Sequence, residues 1–434
     1  MTMRILYTIA IHLYALLVEI ASFFHKKARK TRLGQWHTNS ILREKIDRQA
    51  KYIWFHAASL GEFEQGRPII EAIRRLYPHY KILLTFFSPS GYEVRKNYEG
   101  ADVICYLPFD TLFKVHKFLH LANPAIAVFI KYEFWYNYLS ELKRRHIPTY
   151  LISGIFRREQ LFFRSYGKWY SKALRCFDRL FVQDETSAQL LAELGIINVR
   201  ICGDTRFDRV LEVQHQARLL PELENFVGDE ERLILVAGST WTQDEDVILS
   251  YVNEHPEIKL IIAPHVISRE HLIAIESNLT RSFIRLSEAN VQTVAGKDCL
   301  IIDSIGLLSS IYRYGHLAYI GGGFGKGIHN TLEAAVYGIP VLFGPNYRKF
   351  REANDLIAAG GAFSLANEDG FKTHMDRFIA DPELRRQTGS IVAGYVQQNS
   401  GATEKILREL PFRTPCFSML SSISNATQQG VVPR

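Results

Sequence analysis

The chain alternates short apolar runs with helix-like segments, and it does so in two separate series. The first comprises Tyr52 to Ala58, Lys81 to Phe87, Asp102 to Leu107, Ala125 to Ile130, Thr149 to Ile152, Arg179 to Val182 and Val199 to Cys202. The second comprises Leu233 to Ala237, Lys259 to Ala263, Leu300 to Ile302, Leu317 to Ile320 and Pro340 to Phe343. Apolar runs this short, spaced by helices, predict parallel strands covered on both faces. The rhythm lapses from Glu212 to Asp229, around Pro221. The fold class is therefore α/β, with two doubly wound Rossmann-like domains facing a cleft. The expected organisation is a first domain over 31–211, a linker over 212–229, a second domain over 230–411 and a flexible tail over 412–434. A length of 434 residues agrees, since single cores rarely grow so large.

In such sheets ligands bind beyond the carboxyl ends of the strands, so those ends are where chemistry is sought. The richest reads Ala318-Tyr319-Ile320, then Gly321-Gly322-Gly323-Phe324-Gly325-Lys326-Gly327, then a predicted helix from Ile328 through His329 and Asn330 to Ala335. Glycines let backbone approach a ligand, and a helix start offers unpaired N–H groups to an anion. A phosphate is the simplest occupant, beside Gly323 and Phe324. Neither familiar phosphate fingerprint fits: Ile320 stands five before Gly325, Gly327 follows Lys326, and no register satisfies G-x-G-x-x-G. A capping box of Asn330 with Glu333 is the plainer alternative.

Other strand ends carry titratable groups. His56-Ala57-Ala58-Ser59-Leu60-Gly61-Glu62 puts a carboxylate on a first helical turn, suited to a general base for an acceptor hydroxyl or, with Ser59, to a capping box. Lys131-Tyr132-Glu133-Phe134-Trp135-Tyr136-Asn137 supplies a second acid, or a helix-start charge. Gly203-Asp204-Thr205-Arg206-Phe207-Asp208 brings a cation able to neutralise a departing phosphate, or to pair with its neighbouring acids. Ser239 and Thr240 open the second domain, followed by Asp244-Glu245-Asp246. That triplet has no His or further carboxylate cluster nearby and reads as helix-start charge, so no metal is expected. The aromatic and basic stretch from Phe156 to Trp169 suits a phosphorylated amphiphile, or a solvated amphipathic helix.

Residues 1–30 form an expected anchor with a basic flank. Ile5 to Phe24 is apolar with Glu19 as its one formal charge, long enough to span a bilayer, to lie in its interface, or to be buried against the first domain. Between His25 and Lys51 nine basic residues face two acids, Glu44 and Asp47. Positive charge next to an apolar segment points to a membrane surface rather than nucleic acid, with the bulk of the chain on the cytoplasmic side. No small-residue cleavage site follows the segment. Five scattered cysteines without a C-x-x-C argue against a disulfide framework or zinc site.

Together, Ser59-x-Gly61-Glu62, Glu133-x-Trp135-x-Asn137, Gly203-Asp204-x-Arg206-Phe207-Asp208, Ala237-Gly238-Ser239-Thr240, Gly327-x-His329-Asn330-x-Leu332-Glu333 and Pro340-Val341-Leu342-x-Gly344-Pro345 resemble the Kdo transferases of lipopolysaccharide assembly. The resemblance runs from about Trp54 to Gly361. It implies a GT-B glycosyltransferase at the cytoplasmic face of the inner membrane. Such an enzyme moves 3-deoxy-D-manno-oct-2-ulosonic acid (Kdo) from CMP-Kdo to a lipid A precursor, with inversion and without metal or other cofactor. It further implies Glu62 as general base, Glu133 and Arg206 in transition-state support, and CMP contacts at Pro264, His265, Ile305, Gly306, Leu307, Asn330, Thr331, Leu332 and Glu333. Lys131, His265 and Leu307 depart from the residues common in that family. Another GT-B sugar-nucleotide enzyme, such as an epimerase, and a non-catalytic sugar-nucleotide binder are the alternatives.

Overall fold

The computed structural model describes residues 2–217, 219–228 and 232–412, and they form two compact units. Unit 1 holds the chain up to Thr205 together with the residues from Gly401 on, and unit 2 holds Arg206–Ser400.

Unit 1 carries seven parallel strands: β1 (Lys51–Ala57), β2 (Tyr80–Phe86), β3 (Val103–Tyr106), β4 (Ile126–Ile130), β5 (Thr149–Gly154), β6 (Arg179–Val182) and β7 (Val199–Ile201), in the order β3-β2-β1-β4-β5-β6-β7. Alternate residues of each central strand enter opposite cores. Trp54 and Phe129 pack on one face with Phe118, while Ile53, Phe55 and Val128 pack on the other with Phe63. Full burial of such side chains contributes roughly 1.5–3 kcal/mol each. Two helices precede the sheet, α1 (Thr2–Ala21) and α2 (Lys26–Lys45). The basic flank is thus helical, and α2 lies on β3 at the sheet's edge: Thr38 Oγ1 donates to Tyr106 O at 2.8 Å.

Unit 2 repeats the plan with β8 (Leu233–Thr240), β9 (Ile258–Pro264), β10 (Phe283–Arg285), β11 (Cys299–Ile301), β12 (Leu317–Ile320), β13 (Val341–Phe343) and β14 (Ala362–Ser364), ordered β10-β11-β9-β8-β12-β13-β14 and again all parallel. The two edge strands, β10 and β14, are absent from the sequence reading; three residues with partly exposed side chains carry too little periodicity to be seen.

The units divide differently from the expected domains. The helix Thr205–Gln216 follows β7 after three residues, and its Phe207, Val210 and Leu211 join the core of unit 2, so the expected boundary at 212–229 falls inside that unit. Residues 221–227 are helical too, with Leu223 and Phe226 buried in the same core. At the other end the helix Ala402–Glu409 rejoins unit 1, where Ile406 and Phe412 are buried and the Phe412 ring lies 4.4 Å from that of Tyr77. Phe412 is therefore core rather than tail, and the rest of the expected tail lies outside the described residues.

Candidate active site

Both sheets reverse their winding direction once. In unit 1 this occurs between β1 and β4, and in unit 2 between β8 and β12. Crevices at such switch points are where doubly wound sheets take ligands. Several of the residues singled out from the sequence stand at these strand ends, Glu62 and Glu133 after β1 and β4, and Ser239, Thr240 and the glycine loop at the ends of β8 and β12.

At the unit 1 switch point, β1 ends in Ala57 directly after the fully buried His56, and the helix Leu60–Leu76 begins three residues after Ala57. Ser59 stands at the N-cap without making a side-chain cap bond. Its hydroxyl instead donates to Glu62 Oε2. The capping box that would have explained Ser59 and Glu62 is therefore not formed, and the hydroxyl orients the carboxylate.

Across the switch point, β4 leads into Lys131, which takes a left-handed φ of 70° before the Glu133 loop. Glu133, whose side chain is only 11% exposed, accepts from His56 Nε2 at 2.9 Å and from Trp135 Nε1 at 2.7 Å. His56 Nδ1 meets Thr85 Oγ1 at 2.9 Å, and that oxygen also accepts the Trp54 indole N–H at 2.8 Å. A chain of polar groups thus runs from the core of the sheet to one oxygen of Glu133. The helix-start alternative for Glu133 fails, because the next helix begins at Tyr136 and the carboxylate is held by side chains. For His56 the available sequence signal is a polar residue near the carboxyl end of a largely apolar strand.

The aromatic and basic stretch beyond β5 is not an amphipathic helix. It forms two 3-10 turns, Leu161–Phe163 and Ser165–Tyr170, in which buried Phe162 stacks on Tyr170 at 5.2 Å and Tyr166 stays 72% exposed.

At the unit 2 switch point, the glycines answer first to the protein itself. A Cβ at Gly321 would lie 2.2 Å from Ser239 O, and one at Gly323 would lie 2.5 Å from Gly344 N. Gly322 and Gly327 adopt φ of +90° and +137°. Glycine is thus required by close backbone crossing at two positions and by positive φ at two others. The expected helix from Ile328 is shorter, covering Leu332–Ala335 only. Asn330 Oδ1 accepts Leu332 N–H at 3.2 Å, and its amide donates to Glu333 Oε1 at 3.0 Å, with Ser309 Oγ on the other oxygen at 2.8 Å. The capping box is therefore not made, and Thr331 rather than Asn330 stands at the N-cap.

Asp244 organises this loop. It accepts Gly322 N–H at 2.8 Å, Trp241 N–H at 2.9 Å and the Tyr319 hydroxyl at 2.8 Å. Glu245 accepts Thr240 Oγ1 at 2.9 Å and bonds His271 Nε2 at 2.7 Å. The acidic triplet is accordingly structural at its first two members. Beside it three rings line up: Trp241 stacks on His265 at 4.8 Å, His265 stacks on His329 at 4.4 Å, and Trp241 Nε1 donates to His329 Nε2 at 3.2 Å. Burial, and then the neighbouring His265, hold the His329 pKa below the ordinary imidazole value. Trp241 and His329 meet across 88 residues of sequence, which no local signal announces.

Of the expected donor contacts, Ser239 sits in a left-handed conformation at φ 55°, and Phe324 packs partly against the core. His265 donates its backbone N–H to Thr240 O at 2.9 Å, and Ile305 is 93% exposed beside Gly306 and half-buried Leu307. Thr240, Pro264, Thr331 and Leu332 are buried. Arg206 heads the helix Thr205–Gln216 in unit 2, where Glu352, itself 5% exposed, holds it through two bonds of 2.9 and 3.2 Å. Glu352 lies 146 residues away and escaped the sequence reading.

Two parallel, doubly wound seven-stranded sheets define the GT-B class. Solved structures agree on the fold: the chain superposes on the UDP-GlcNAc 2-epimerase of Neisseria meningitidis bound to UDP-GlcNAc with a TM-score of 0.57, at 16% identity over 82% of this chain and 98% of that one. It superposes on CalG4, the calicheamicin glycosyltransferase, with a TM-score of 0.53, at 10% identity over 85% of this chain and 100% of that one. Residues 27–209 match the family model described as 3-deoxy-D-manno-octulosonic-acid transferase (kdotransferase). The 3-deoxy-D-manno-octulosonic acid transferase of Haemophilus influenzae is 26% identical over 82% of this chain and 85% of its own, and that of Aquifex aeolicus is 27% identical over 76% and 86%. Over most of its length the chain is thus similar to Kdo transferases, a class of glycosyltransferases.

Proposed function

We propose that the protein transfers Kdo from CMP-Kdo to a lipid A precursor of the lipid IVA type, inverting the anomeric centre without a metal ion. The observation that carries this reading is the pair of carboxylates at the unit 1 switch point, Glu62 turned by Ser59 and Glu133 fixed by His56 and Trp135, in a chain similar to Kdo transferases. Glu62 takes the proton of the acceptor hydroxyl as its oxygen attacks the Kdo anomeric carbon. The bond from that carbon to the phosphate oxygen breaks, and CMP leaves. A general base of this kind contributes about 10²–10⁴-fold.

The departing CMP carries a single phosphate. Arg206 is anchored by Glu352 through two bonds and brings a positive charge that can serve a phosphate. The Trp241, His265 and His329 rings and the polar edge formed by Asn330 and Glu333 form the donor side. Asp244 and Glu245 are occupied by protein donors, which supports a reaction that needs no divalent cation there.

The acceptor is a lipid, and α1 fits a place in the membrane interface. Met3–Ala21 is apolar enough to cross a bilayer, with mean hydropathy 1.6. Yet Ile11 is buried, and Tyr7 and Tyr14 meet residues of unit 1, so lipid reaches only the other side. Leu6, Leu13, Leu17 and Phe24 are 53%, 56%, 63% and 80% exposed there. With the basic residues of α2 this supports a helix lying flat at the cytoplasmic face of the inner membrane.

The test is transfer of Kdo from CMP-Kdo, generated in situ, to a tetra-acylated lipid A precursor, with and without EDTA and with UDP-sugars as competing donors. Product formed from CMP-Kdo alone and unaffected by EDTA is expected. Loss of product with EDTA, or equal use of UDP-sugars, would overturn the reading.

A further inference from the structure

The anchor helix makes specific polar bonds to Asp110 and to the start of the helix that directly follows the Glu133 loop. Tyr7 OH donates to Asp110 Oδ2 at 2.6 Å and accepts the backbone N–H of Tyr136 at 3.2 Å. Asp110 is fully buried, and it also accepts Asn137 N–H at 2.9 Å and Tyr138 N–H at 2.8 Å. One carboxylate therefore joins α1 to the first turn of the helix Tyr136–Arg144, whose start directly follows Trp135. The Tyr7 ring lies 5.9 Å from those of Tyr136 and Tyr170, and the Tyr170 hydroxyl donates to Phe134 O.

A second contact lies seven residues, or two turns, further along the same face of α1. Tyr14 stacks on Phe87 at 6.4 Å and meets Phe109 edge-on at 5.7 Å, and Phe87 lies 4.8 Å from Trp135. Trp135 in turn holds Glu133. Both routes from α1 end on the same five-residue loop. A tether needs neither, because an anchor joined by a flexible linker would hold the protein to the membrane equally well.

We propose that α1 is part of the acceptor-side machinery, with Tyr7 and Tyr14 as positioning residues that fix the Glu133 loop, so that seating of the anchor helix and turnover are coupled. The inference rests on the reading of Glu133 as a group of the active site. Its consequence is that membrane attachment through any other anchor does not replace α1.

The experiment uses the full chain in phospholipid vesicles containing anionic lipid. Tyr7→Phe keeps the ring and removes both bonds of the hydroxyl; Tyr14→Ala removes the second route. Each is expected to lower kcat about tenfold, the effect of losing a buried hydrogen bond or packing contact of ordinary strength, while KM for CMP-Kdo and sedimentation with vesicles stay at wild-type values. Amide hydrogen exchange should rise at residues 132–138 in Tyr7→Phe and stay unchanged in unit 2. Unchanged exchange at 132–138, or wild-type kcat in both variants, would overturn the proposal. Glu133→Gln is run beside them: wild-type turnover in that variant sinks the reading of Glu133, whereas the exchange of residues 132–138 reports on the α1 coupling by itself.

Discussion

The two switch points share a topology and use their acids in opposite ways. In unit 1 Glu62 and Glu133 are set by side chains that leave carboxylate oxygens available: Ser59 touches one oxygen of Glu62, and His56 and Trp135 share one oxygen of Glu133. In unit 2 Asp244 and Glu245 are spent on the fold, with both oxygens of each bonded to protein groups. What unit 2 offers a ligand is a ring stack and backbone. An acid at a strand end is therefore chemical or structural according to how many of its lone pairs the protein already fills.

Changes at the two sites should separate on that line. The largest effect apart from loss of the base is expected from Arg206→Met, which removes charge facing the departing phosphate and should lower kcat about 10²–10³-fold; steady-state kinetics with CMP-Kdo checks it, and a change confined to KM would make Arg206 a ground-state contact only. Asp244→Asn should act on stability, costing roughly 1–3 kcal/mol by leaving buried donors unpaired. Thermal unfolding checks this, and a wild-type transition would show that the glycine loop is held by its backbone crossings alone.

A smaller difference concerns pH. Burial pushes the Asp110 carboxyl in unit 1 up to about 7. Its unfolded value is about 3.9, so the folded form binds the extra proton between these values and unit 1 gains stability as pH falls through 7. In unit 2 burial lowers the pKa of His316, His329 and His374. Their contribution is complete above the unfolded value of about 6.5 and is lost as pH falls through it. Acidification from pH 7.5 to 5 should therefore destabilise unit 2 relative to unit 1, read as the order in which amides of the two sheets exchange. The same order at both pH values would contradict it. Ser59→Ala should have the smallest effect, a few-fold loss in kcat with unchanged melting, because it frees the Glu62 carboxylate without removing it; a fall in melting temperature would restore Ser59 as a cap.

Much of the fold was legible because central strands such as Tyr52–Ala57 and Leu233–Ala237 are buried on both faces and read as unbroken apolar runs. The edge strands β10 and β14 were not, and neither was the return of Ile406 and Phe412 to unit 1, since isolated apolar residues near a chain end name no partner. At the site, Glu62, Glu133 and Arg206 stood out by their places after strands. Their partners did not: His56 lies 77 residues from Glu133 and is brought to it by the pairing of β1 with β4, and Glu352 lies 146 residues from Arg206. The crossing backbones that demand glycine at positions 321 and 323 were equally hidden, since they come from parts of the chain distant in sequence.

The most direct test of the account is Kdo transfer by Glu62→Gln, measured with its melting temperature. The account predicts a loss of kcat of about 10²–10⁴-fold with melting unchanged. Near-normal turnover, or a loss of turnover matched by a loss of folded protein, would contradict Glu62 as the base.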